Sequence, residues 1–127
     1  LQGYVLSSYS ARRLGLQTTA NAGGAQNLVV TGGDADKDAL VREMGTGLLV
    51  EELIGHGVNG VTGDYSRGAV GYWVENGEIA YPVHEVTIAG NLRELYQRIV
   101  AIGSDQDVRG GIRCGSLLVE EMTIAGA

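Results

Sequence analysis

The spacing of apolar and polar positions changes along this chain, and each change marks an element. Leu48 to Leu53 is a strand-like run. A loop follows in which Gly55, Gly57, Gly60, Gly63 and Gly68 alternate with His56, Asn59, Thr62, Asp64, Ser66 and Arg67. Ala69 to Glu75 and Glu78 to Val83 then read as two strands around Asn76-Gly77. Both turn residues tolerate the positive φ of a type I′ turn, so the pattern predicts a hairpin. The remaining elements are arranged around this stretch from Gly45 to Tyr81.

Before it, the segment from Leu1 to Tyr9 is apolar enough for a strand at Tyr4-Val5-Leu6, and Ser10 is placed to cap a short helix over Ala11 to Leu14, ended by Gly15. Asn21 to Gly24 is a loop, and Asn27 to Thr31 predicts a strand that buries Leu28, Val29 and Val30. Gly32-Gly33 breaks it. Asp34 or Asp36 caps a helix running to about Met44, with Leu40, Val41 and Met44 inward and Gly45 as its stop.

After it, His84 to Ile88 continues as strand, with Val86 and Ile88 on one face. The inward phase moves from Ile79, Tyr81 and Val83 to even positions near Pro82, which predicts a bulge or an edge there. Asn91 caps the most strongly periodic helix pattern: Leu92, Leu95, Tyr96, Ile99 and Ile102 form a core stripe, and Gly103 ends it. Ser104 to Gly111 is a polar loop, and Ile112 to Ile124 supplies one or two last strands around Gly115. The fold class read from this order is α+β, a largely antiparallel, barrel-like sheet with two or three packed helices.

With 127 residues, 44% of them hydrophobic and 19% charged, the chain has the composition of an ordinary globular domain. No apolar run approaches the roughly 18 residues of a membrane helix. The net charge is −6, and the single lysine, Lys37, lies between Asp36 and Asp38. A nucleic-acid binder would show a basic stripe instead, so no nucleic-acid partner is expected. One cysteine, Cys114, excludes an internal disulfide and suits a reducing cytoplasm.

Three constellations touch on chemistry. Gly55-His56-Gly57-Val58-Asn59-Gly60 matches G-x-G-x-x-G, but a dinucleotide site needs a helix next, and here more glycine and a hairpin follow. His84-Glu85 begins like a zinc-peptidase motif, but Pro82 argues for a strand rather than the helix that such a motif needs. Cys114 is a weak metal candidate, because His56 and His84 lack the spacing of a ligand set; inert packing is the simpler reading. That leaves His56, Asn59, Asp64, Tyr65, Ser66 and Arg67 as a peptide- or partner-binding loop. The alternative is a loop satisfied by itself, with Asp64 bonding turn amides and pairing with Arg67. Tyr72 and Trp73 fall on opposite faces of one strand, one toward the core and the other available to a partner subunit.

The runs GTGLLV, GVNGVTGDYSRGAVGYWVENGEIAYPV and TIAGN, with YVLSSYSARRLG, NAGG and the closing MTIAGA, resemble the C-terminal domain of the PmbA/TldE-type side of the TldD/PmbA family. The resemblance covers essentially the whole chain. Members of that family are described as modulators of DNA gyrase and as a heteromeric metalloprotease. The resemblance implies a C-terminal fragment, residues 1–127, of a longer cytoplasmic protein. It implies zinc and a general base in a TldD-type partner, with no catalytic residue or cofactor in this chain. Here the chain would contribute a dimer interface, with a TldD-type subunit or a second copy, and part of the wall around an unfolded peptide. A non-proteolytic regulatory protein of the gyrase-modulator type, which could be a homodimer, is the alternative that the resemblance allows.

Overall fold

The computed structural model describes residues 3–126. Leu1, Gln2 and Ala127, which open and close the predicted pattern, lie outside the described residues. The predicted hairpin is the centre of the fold, and it is longer than its pattern suggested. β2 (Gly47–Ile54) pairs antiparallel with β3 (Asp64–Glu75), and β3 with β4 (Glu78–Asn91). Asn76 and Gly77 turn the hairpin at φ 54° and 76°. A side chain at residue 77 would be strained at that φ and would meet the backbone of Arg42, so glycine lets the hairpin tip dock on α2 (Lys37–Met44). Gly77 N donates to Gly45 O at 2.8 Å, just past that helix.

α2 is capped as its sequence indicates, Asp36 Oδ1 accepting from Ala39 N at 2.8 Å, with Leu40 buried. α1 (Ser8–Leu14) begins earlier than expected: Ser7, not Ser10, is the cap, and its hydroxyl accepts from Ser10 N at 3.1 Å. Tyr4 to Leu6 forms no strand, and Leu6 is held instead by hydrogen bonds with Thr18 and Thr19. Leu28 and Val29 form only a two-residue β1 (Leu28–Val29) and are exposed, not buried. Its partner is β6 (Ile112–Arg113), in the one parallel pairing described.

The expected long helix stops early. α3 (Leu92–Gln97) ends at Arg98, and β5 (Ile99–Ile102) takes over and pairs with β7 (Leu117–Val119). Ile99, Val100 and Ile102 are β-branched, and an available partner strand decides between two structures their periodicity allowed. Tyr96 is therefore exposed, and the stripe is not a continuous helical core. The last segment gives three short strands rather than one or two; β8 (Thr123–Ala125) joins β4.

The main sheet runs β2-β3-β4-β8. With the three helices this is a mixed α and β fold with mostly antiparallel sheets. The strands do not close into a barrel among the described residues. Ala69, Val86 and Ile88 are buried on one sheet face, with Leu48, Val50, Leu53, Tyr65 and Met122 packed against them. A cleft of about 720 Å³ borders that core between α2 and β7. No described helix is long and apolar enough to cross a membrane, which says nothing of a barrel of strands.

Candidate functional site

The expected phase change in β4 comes from two bulges flanking Pro82, one between Ile79 and Tyr81 and one at His84–Glu85, where Glu85 adopts φ 57°. Ile79 and Tyr81 are exposed rather than inward. Each bulge moves the register by one residue, so Asp64 faces Asn91 and not Ala89. That pairing builds the loop between β2 and β3.

Asn91 Nδ2 donates to Thr62 O at 3.0 Å and to Asp64 Oδ1 at 3.3 Å. Thr62 Oγ1 donates to Asp64 Oδ2 at 2.7 Å. Asn59 Oδ1 accepts from Val61 N and Thr62 N at 2.9 and 3.2 Å, while Asn59 N donates to Asp64 O at 2.8 Å. The loop is thus held by its own polar groups. Asn91, read from sequence only as a helix cap, fills that role toward Arg93 N at 3.1 Å and fastens the loop as well. Two bulges hid this second role, because an unbroken hairpin count places Ala89 opposite Asp64.

The six sequence-selected residues do not form one cluster. Asp64 to Arg67 belongs to β3 rather than to the loop, and alternation sends Asp64 and Ser66 to one face, Tyr65 and Arg67 to the other. His56 and Asn59 are exposed in the loop itself. Asp64 makes no ion pair with Arg67, because the two side chains leave the strand on opposite sides. Arg67 Nη2 donates to Leu53 O at 3.2 Å, and its Nε is buried with no acceptor. Gly57 makes this arrangement possible: a Cβ there would run into the Ser66 carbonyl and press on Arg67 Cγ. Tyr72 is exposed and Trp73 half-buried, on opposite faces as their adjacency requires.

His84 is exposed on β4, and Cys114 is half-buried just after β6. With His56 in the loop, these donors sit on three separate elements. No three His, Cys, Asp or Glu side chains among the described residues converge to hold a metal ion. A zinc site takes at least three protein ligands, so these residues do not fit one. The perturbed acids lie elsewhere. The Ser116 hydroxyl, donating at 2.6 Å, lowers the Asp105 carboxyl below its ordinary range. The Arg109 guanidinium lowers exposed Asp107 to about 2. Both acids tie down the loop between β5 and β6, and Asp107 N donates to Cys114 O at 3.1 Å.

The chain matches, over residues 1–126, the family model described as the PmbA/TldA metallopeptidase C-terminal domain. It is 55% identical over 126 residues to the metalloprotease PmbA of Escherichia coli O157:H7, covering 99% of this chain and 28% of that protein. Among solved structures, a candidate modulator of DNA gyrase from Bacteroides thetaiotaomicron superposes with a TM-score of 0.89 at 34% identity, covering 100% of this chain and 29% of that one. A candidate modulator of a DNA gyrase from Thermotoga maritima gives 0.86 at 37% identity, covering 98% and 31%. The chain spans less than a third of the length of these relatives.

Proposed function

The chain belongs to the family of PmbA/TldA metallopeptidase C-terminal domains, and from that membership we propose that it is the C-terminal domain of a PmbA/TldE-like, non-catalytic subunit. The assembly is a cytoplasmic TldD/TldE-type metalloprotease acting on unfolded peptides. This chain provides a subunit interface and part of the peptide channel, with the wall drawn from His56 and Asn59 of the loop and from the β3 face that carries Tyr65 and Arg67, while Asp64 and Ser66 face the other way. Zinc and the general base belong to the TldD-type partner.

The carrying observation is the surface. The chain presents 9253 Å², whereas a compact monomer of this length exposes about 6,500 Å². An excess on the order of 2,800 Å² is surface for other parts of the assembly to cover, first the remainder of a protein as long as these relatives and then its partner subunit. Open edges at β2 and β8 favour the same conclusion, and strands from the rest of the assembly would complete a barrel-like wall. The scattered donors His56, His84 and Cys114 support a catalytic centre outside these residues.

The test is metal content and casein-type proteolysis of the full-length chain, alone and mixed with a TldD-type partner. The chain alone is expected to be metal-free and silent, with cleavage appearing in the mixture. Stoichiometric zinc together with cleavage by the chain alone would overturn the proposal. The names of the solved relatives favour a second reading, a regulatory protein without proteolytic duty. Under that reading, proteolysis by the partner is unchanged when this chain is left out.

A further inference from the structure

We infer that Arg67 is the anchor for a carboxylate of the bound peptide. The inference rests on the peptide-wall reading above and adds the chemical class that the wall selects. Arg67 leaves β3 on the same face as Tyr65 and Ala69, directly opposite buried Ile88. A cation is therefore held half-buried at the end of an apolar sheet face. Its surroundings satisfy little of it. A guanidinium offers five N–H donors, and one backbone carbonyl, that of Leu53, accepts from it. Nε is buried without an acceptor, and no carboxylate among the described residues lies within ion-pair reach.

Removing a charge from water is costly unless an opposite charge or a full set of hydrogen bonds replaces the water. This chain carries fifteen acidic residues, yet none among the described residues lies within ion-pair reach of Arg67. Asp64, three residues away, is turned to the other face and committed to Thr62 and Asn91. The arginine is also deliberately accommodated: Gly57 leaves room for its stem where any side chain would collide with β3. A planar, poorly hydrated cation is suited to a carboxylate, which it can grip through two parallel bonds from Nη1 and Nη2, while the buried Nε stays out of its reach. In an unfolded peptide that group is either the C-terminal carboxylate or an Asp or Glu side chain.

The experiment uses the full-length chain assembled with its TldD-type partner and a fluorescein-labelled unstructured peptide in four forms. The C-terminus is free or amidated, and one central residue is Glu or Gln. Wild-type assembly is expected to lose about tenfold or more in affinity when the recognised carboxylate is removed. Which of the two removals has this effect identifies the source. Arg67→Gln should bind all four forms alike, and Arg67→Lys should keep part of the discrimination because it keeps the charge. Equal binding of all four forms by the wild type overturns the inference while leaving the peptide wall intact. Binding of none of them removes both. Discrimination by Arg67→Gln equal to the wild type also overturns it. So does loss of assembly in both Arg67→Gln and Arg67→Lys, which would assign the arginine to subunit contact.

Discussion

Ser116 holds Asp105 through two bonds, its hydroxyl donating at 2.6 Å and its N–H at 3.1 Å, and this small clamp has a measurable consequence. Both Asp105 and Asp107 have carboxyls lowered from the ordinary value of 3.8, Asp107 to about 2. A depressed folded-state value means that the unfolded chain binds protons first as pH falls. The contribution to stability is therefore complete above pH about 4 and is withdrawn as pH drops toward 2. Replacing Ser116 with Ala is expected to move the Asp105 titration upward, toward the ordinary carboxylate value, while Asp107 stays low on its Arg109 contact. A carboxyl NMR titration of the wild type and the Ser116→Ala variant reads this directly; an unmoved Asp105 would show that the hydroxyl is not the cause. At this scale the sequence was informative about caps and silent about long-range partners. Asp36, Gly45 and Asn91 are legible because a cap acts on neighbours. The Asp105–Ser116 and Asp64–Asn91 contacts depend on register, which no local pattern encodes.

Glu85 shows where element-level reading gives the wrong sign. A β-propensity scale favours valine over glutamate in the middle of a strand as long as β4. Glu85, however, sits at φ 57°, in a bulge that shifts the register and redirects the following residues so that Val86 and Ile88 reach the core. Left-handed backbone penalises β-branched residues most. Glu85→Val is thus expected to destabilise the chain by about 1–2 kcal/mol, while Glu85→Asn, which tolerates this region, leaves stability within about 0.5 kcal/mol. Denaturant unfolding of the two variants separates bulge from propensity: a stabilised valine variant would mean that the bulge is not needed. The Asn-Gly turn and the phase change around Pro82 made the hairpin and its irregularity readable. The early end of α3 was not, because Ile99 and Ile102 continue a helical stripe and fit a strand equally well. Only the presence of β7, nearly twenty residues on, decides between them.

For the whole molecule, the balance between core and surface says most about its biology. Leu6, Ala11, Leu40, Ala69, Val74, Val86 and Ile88 are the buried hydrophobic residues, while Val61, Tyr96, Val108 and Ile112 stand more than 60% exposed. A domain with so thin a core derives much of its order from what covers it. The net charge of −6 does not stabilise the fold. Hydrogen exchange on the full-length chain, alone and with a TldD-type partner, tests which faces are covered. Amides of β2 and β8 have one side of each strand unpaired, so they are expected to exchange quickly where that edge meets water and to slow by an order of magnitude or more on assembly. β3 lies inside the sheet with partners on both sides and should change least. Protection appearing at β2 and β8 together with the loop at residues 55–63 would place the interface and the channel wall on one continuous surface. Protection confined to α1 and β1, at the opposite end of the chain order, would move the interface away from the sheet edges and leave the cleft beside α2 facing solvent.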